Sequence, residues 1–234
     1  MSAHLTEEEQ LEALKRWWKD NGKNTVAAVV VAVVGYFGFE FWQENTRLAA
    51  ETASDKYQTL IESVVVAPGQ SLSDVQRATA VSLAGELKSE APSSFYGQSA
   101  ALFMAKMAVE AEQLDKAEAE LQWLLAQNPE RAIELTTRLR LSRVQAAAEK
   151  HDMALATLTS VEPGSFAASY AEVRGDILLA QGKPDQARAA YQLALKLNAD
   201  TGSDQDRLLE SKVNDLTSAL TVSVEPLAAV EVQQ

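Results

Sequence analysis

The chain has 234 residues and no cysteine, so disulfides, thiolate nucleophiles and cysteine-based metal sites are all excluded. It has only two histidines, His4 and His151, too few for a histidine metal site. Six prolines and ten glycines leave no room for a turn-rich β fold, and no strand-like alternation is sustained. No glycine-rich phosphate loop exists. The two Gly-Lys pairs, Gly22-Lys23 and Gly182-Lys183, lack a following Ser or Thr. Positive charge is scarce too. A net charge of -12 argues against a nucleic-acid partner, because phosphate binding needs a basic surface. What remains is rich in Ala, Leu, Glu and Gln, which predicts an all-α protein. His151 beside Asp152 reads as a solvated turn residue. No catalytic constellation and no cofactor site emerges, and a binding role is expected rather than an enzymatic one.

One stretch stands apart. From Asn24 to Phe39 there is no charged residue, and only Glu40 interrupts the continuation through Trp42. A spanning helix needs about 20 residues at roughly 1.5 Å each. The run is just long enough, and six valines favour insertion. Trp17 and Trp18 precede it, while Tyr36, Phe37, Phe41 and Trp42 lie at its far end. Aromatics at both ends suit the two interfaces of a membrane. Residues 24–43 are therefore expected to be a transmembrane helix. Lys15, Arg16, Lys19 and Lys23 lie before the span, against Arg47 and Lys56 shortly after it. That bias predicts a cytoplasmic N-terminus and places the rest outside, in the periplasm of a Gram-negative inner membrane. The bulky, charged "FEFWQENTR" offers no small-residue cleavage site, so an uncleaved signal anchor is expected.

Residues 1–23 read as a short amphipathic helix on the cytoplasmic side. Thr6 and Glu9 have capping-box spacing, and Asn21-Gly22 reads as a stop. Leu11, Leu14 and Trp18 share one face. Lys15, Arg16, Trp17, Trp18, Lys19 and Lys23, with Trp42 at the other end, are the expected membrane-interface residues.

The remainder, residues 44–216, contains repeats. Aligning Asp115, Asp152 and Asp185 also aligns Ala117, Ala154 and Ala187, then Leu121, Leu158 and Tyr191, at periods of 37 and 33 residues. Each unit reads as a helix, a turn, and a second helix capped by the Asp. Periods near 34 mark a tetratricopeptide-like helical solenoid. Gly175, Ala187, Tyr191 and Ala194 make the third unit the best match. The second is degenerate, its second helix ending early at Pro163-Gly164. Ala80, Ala84, Leu87 and Pro92 repeat the spacing of Ala117, Leu121, Leu124 and Pro129, so a partial unit precedes these three. It comprises a helix over 44–66, a break at Pro68-Gly69, and a second helix over 73–89. "SDQDRLLESKVNDL" reads as a closing helix. The tail 217–234 has no clear period and is expected to be disordered.

A solenoid groove is lined by first helices and suits a helical or extended partner segment. The expected lining is Leu102, Lys106, Val109, Leu139, Arg143, Ala146, Asp176 and Leu179. Arg138 and Arg174 fall where a solenoid normally has apolar residues. They are either ion-paired between helices or free to grip a partner's carboxylates. From residue 43 onward there are 17 Lys and Arg against 27 Asp and Glu, a surface that stays off anionic lipid.

The basic-aromatic lead "LEALKRWWKDNGK", the single span, and then "RLRLSRVQ" and "RGDILLAQGKPDQARAAY" together resemble the YfgM-type ancillary subunits of the SecYEG translocon. The resemblance covers roughly residues 8–216. It implies a single-pass inner-membrane protein with a periplasmic repeat domain. It also implies association with SecYEG and with the membrane-anchored chaperone PpiD, and help in passing newly translocated client proteins to periplasmic chaperones. Two other readings fit the residues: a scaffold for another envelope complex, and a tether that holds a cytoplasmic signalling protein through residues 1–22.

Overall fold

The structure, a computed structural model, describes residues 7–66, 70–198 and 204–224. These are helical almost throughout, without strands among the described residues. The chain divides at Asp55 into two units.

The first unit is built on α1, which runs from Glu7 to Ser63 and passes into the second unit. Its apolar stretch has a mean hydropathy of 1.8 over the best window, none of it buried. Val30, Val34, Phe37 and Phe41 all face outward. A soluble core helix buries such residues, so α1 has the length and surface of a membrane-crossing helix. The expected stop at Asn21-Gly22 is overturned, because α1 continues through it. The Asn21 amide donates to the Trp17 carbonyl (3.3 Å), and Thr25 donates its hydroxyl to the Asn21 carbonyl (3.0 Å). The Trp18 ring lies 3.3 Å from where a Cβ on Gly22 would sit. The short polar side chain thus bonds back into the helix instead of opening it. Thr6 and Pro68-Gly69 lie outside the described residues.

The second unit is the repeat domain. The last turns of α1 pair with α2 (Asp74–Glu90): Leu60 is fully buried, and Lys56 reaches Glu86 (2.9 Å) and Glu90 (2.7 Å). Ser73 and Gln76 form a capping box on α2. Three helical pairs follow. They are α3 (Phe95–Glu110) with α4 (Leu114–Ala126), α5 (Arg131–Ala147) with α6 (His151–Thr159), and α7 (Ala167–Ala180) with α8 (Pro184–Asn198). Helix α9 (Asp204–Val224) packs on α8 and closes the stack. It continues past residue 216, so the expected disorder over 217–224 gives way to helix. Residues 225–234 lie outside the described residues.

The repeat spacing is expressed as packing. Ala80, Ala84 and Leu87 are buried in α2 as Ala117, Leu121 and Leu124 are in α4. Ala154 with Leu158, and Ala187 with Tyr191, take the matching places in α6 and α8. Gly175 shows why the small positions exist. A Cβ there would stand 2.4 Å from the Tyr191 ring. Each fully buried leucine contributes roughly 1.5–3 kcal/mol, so these small-large contacts hold the domain.

The expected Asp caps are a correction. Asp115, Asp152 and Asp185 lie in the first turn, one residue inside the helix start. The capping positions of α4 and α6 are Gln113 and Lys150, with no side-chain cap bond. The carboxylates act on the positive helix end instead. Each preceding helix ends through a left-handed residue: Glu112 (φ 57°), Glu149 (φ 60°) and Gly182 (φ 72°). The next amides then fold back, as Gln113 to Ala108 (2.8 Å), Lys150 to Gln145 (2.8 Å) and Lys183 to Leu178 (2.9 Å).

Candidate functional site

The eight residues expected to line a groove divide on folding. Leu139 is buried, packed with Leu135, Ala154 and Leu158 in the core under α5 and α6, so it lines nothing. Ala146 packs against that same core, and Leu102 against the Leu121–Leu141 core. Leu139 is a correction of register, while Leu102 and Ala146 stay partly buried beside their cores. Helix α5 is buried on two sides, along Leu135, Leu139 and Ser142 and along Thr137, Leu141 and Val144, with arginines at 138, 140 and 143 interleaved, which blurs the register in sequence. Asp176 is half-buried and committed: it accepts from Tyr191 (2.8 Å) and Lys212 (2.8 Å). Burial opposes the charge on Lys212, but its bonds to Asp176 and Glu172 outweigh that and raise its pKa. The exposed members are Val109, Arg143, Leu179 and Lys106, the last loosely paired with Glu110. They lie on α3, α5 and α7, the first helices of the three pairs.

The junction between α3–α4 and α5–α6 combines an apolar core, in which Leu121 meets Leu141 and Val144, with a polar network, and a cavity of about 570 Å³ lined by Leu114, Asp115, Ala148 and Lys150 opens at its edge. Glu118 is buried on α4, and Gln145 donates to it (2.9 Å). Lys150 donates to Glu118 (2.8 Å) and to Asp115 (2.9 Å). Thr157 donates its hydroxyl to the side-chain amide oxygen of Gln145 (2.8 Å). The Lys150 bond, then the Gln145 bond, hold the Glu118 carboxyl below its ordinary range.

The next junction is different. Helix α6 has 9 residues where α4 has 13 and α8 has 15. Aligning Asp115 with Asp152 puts Val161 and Glu162 where α4 has Leu124 and Leu125, but the chain has already left the helix there. A cavity of about 580 Å³ remains between the α6–α7 connection, α7 and α8, lined by Leu158, Val161, Tyr170, Leu178, Leu193 and Leu197. The connection is pinned. Arg131 donates to the Glu162 carbonyl, and Arg138 donates to the Ser160 hydroxyl (2.9 Å) and to Glu134 (3.0 Å). So Arg138 is structural. Arg174 lies exposed on the cavity wall, and no described residue bonds to it or pairs with it. The sequence grouped the two arginines and the fold separates them. Only the early Pro163-Gly164 break hinted at this space.

His151 is half-buried at the start of α6, and its Nδ1 is buried without a hydrogen-bond partner. It is less solvated than a turn residue would be. Among the described residues, no group of three or more His, Asp or Glu is placed to hold a metal ion.

A family model described as a tetratricopeptide repeat-like domain matches residues 15–218. Three similar curated proteins carry the name "Ancillary SecYEG translocon subunit". The one from Escherichia coli is 30% identical over 93% of this chain and 100% of its own length. The Haemophilus influenzae protein is 31% identical over 92% of this chain, again along its whole length. The Neisseria gonorrhoeae protein is 28% identical, with 92% and 100% coverage. No solved structure gives a significant match.

Proposed function

The chain belongs to the tetratricopeptide repeat-like family that includes the ancillary SecYEG translocon subunits, and on that premise we propose that it is a membrane-anchored adaptor of the translocon. Residues 24–43 anchor it in the inner membrane. Trp17, Trp18 and Trp42, with Lys15, Arg16, Lys19 and Lys23, take the two interfaces. The basic lead stays in the cytoplasm and the repeat domain faces the periplasm. There it binds partner proteins, of which a membrane-anchored chaperone such as PpiD is the first expected, and helps newly exported chains reach periplasmic chaperones. No catalytic step is required.

The observation that supports this reading is the coupling, in one chain, of an unburied apolar helix to a repeat domain with exposed Val109, Arg143 and Leu179 on its first helices. Tagged full-length chain, purified in mild detergent from membranes holding SecYEG, should bring down the translocon. The double variant Val109→Glu, Arg143→Glu should insert normally and lose a repeat-bound partner. Absence of SecY from the native eluate would sink the assignment. Orientation is tested separately. Because the chain has no cysteine, Lys116→Cys provides a single label site, which an impermeant maleimide should reach from outside intact spheroplasts.

A further inference from the structure

The cavity beside the shortened α6 lies between the α6–α7 connection, α7 and α8, and its lining includes none of Val109, Arg143 and Leu179. We infer that it is a second docking site, which takes an amphipathic helical segment of a partner protein bearing a carboxylate between its apolar residues. Its character follows from three observations. The site is the room left by missing helix: α6 stops where α4 continues for another turn, and about 580 Å³ stays open. That volume lies within the roughly 300–1,000 Å³ typical of ligand pockets. The open wall is apolar in helical register. Ala189, Leu193 and Leu197 recur at four-residue spacing on α8, and Leu193 and Leu197 remain 46% and 50% exposed. A helix laid against this row meets it with its own four-residue ridge. The charge is specific. Arg174 interrupts the facing row of Ala167, Ala171 and Leu178 on α7, and no described residue answers it. The other charged residue on the lining is Glu162, exposed at the connection. A guanidinium among alkyl groups favours a carboxylate, which it can hold through two parallel bonds.

The site is built rather than incidental. Arg131 and Arg138 tie the connection to α5, and Tyr170 turns its hydroxyl away to the Leu135 carbonyl (2.9 Å), leaving its ring toward the cavity. The inference stands independently of which complex the chain serves.

The test uses full-length chain in nanodiscs and a fluorescent amphipathic peptide whose helical face reads Leu-x-x-Glu-Leu-x-x-Leu, with Glu→Gln and Glu→Lys twins. The Glu peptide should bind about ten-fold more tightly than the Lys twin, because a desolvated charge contact discriminates strongly. Arg174→Glu should reverse that preference, and Leu193→Asp should abolish binding of all three. Both residues are exposed, and an unchanged thermal melt checks that the variants fold. Equal affinity for the twins, or no response to Arg174→Glu, would overturn the inference. So would a concentration-dependent dimer broken by Arg174→Glu, which would make a second copy the occupant. A gain in peptide affinity on deleting residues 225–234 would instead assign the site to the chain's own tail. No translocon is present in this assay, so its failure leaves the SecYEG copurification unaffected.

Discussion

The two junctions between the three helical pairs are finished in different ways. Between α3–α4 and α5–α6, each of Glu118, Gln145, Lys150 and Thr157 is answered by another. Between α5–α6 and α7–α8, the shortened helix leaves a cavity, exposed leucines and an unanswered Arg174. A satisfied buried network stiffens a junction, because any one partner removed strands the rest in low dielectric. The second junction coheres instead through an apolar core, in which Leu135, Leu139 and Leu158 meet Tyr170 and Val173, while the wall of its cavity keeps a free surface.

Perturbations of decreasing size should separate these roles. The largest effect lies inside a helical pair. Gly175→Ala drives a Cβ into the Tyr191 ring, which is buried and anchored through its hydroxyl to Asp176. Overpacking of this kind costs about 1–3 kcal/mol. Urea unfolding of the full chain followed by circular dichroism should show it as a lower midpoint. An unchanged midpoint would mean that α7 and α8 are not so closely apposed.

The junction with the polar network should break next. Gln145→Leu keeps the volume but removes both the donor to Glu118 and the acceptor for Thr157. Stranding a buried polar group costs roughly 1–3 kcal/mol. The same junction predicts a pH dependence. Glu118 is depressed chiefly by Lys150 and then by Gln145, below an ordinary value of 4.5. A carboxyl depressed in the fold contributes stability above its unfolded pKa, and that stability is lost as pH falls through its folded pKa. Stability should therefore decline below about pH 4.5, with Glu134 and Asp115, also depressed, adding to the slope. Glu118→Gln should be less stable at neutral pH and show a shallower acid slope. An identical slope would place the acid sensitivity elsewhere.

Most of this architecture was legible in the sequence, for a physical reason. Ala80, Ala117, Ala154 and Ala187 are all fully buried because paired helices can approach only where a side chain is small, and that demand leaves a periodic mark. The apolar run of α1 is marked in the same way by length and composition. The features that misled are those where a residue type has two uses. Asn21-Gly22 often ends a helix, yet here Asn21 bonds back to Trp17 and the helix runs on. First-turn Asp resembles a cap and sits two residues past the capping position. Left-handed Glu112 and Glu149 carry no glycine to announce them, whereas Gly182 does. Leu139 went astray because the polar positions of α5 blur which side is buried. The partner-facing cavity was hidden because it arises from an absence, the turn α6 does not make, visible in sequence only as an early Pro163-Gly164.

The smallest stability effects should distinguish the two arginines, and the distinction matters most because they were indistinguishable in sequence. Arg138→Met loses the bonds to Glu134 and Ser160 that hold the α6–α7 connection, so a loss of about 0.5–1.5 kcal/mol is expected. Arg174→Met loses no bond to any described residue, and the new side chain covers neighbouring leucines, so stability should stay within roughly 0.5 kcal/mol of the native chain. If both variants unfold alike, Arg174 has a structural partner. If only Arg138→Met is weakened, a guanidinium that stability does not require is kept on an apolar wall. Its reason must then lie in what approaches that wall from outside the chain.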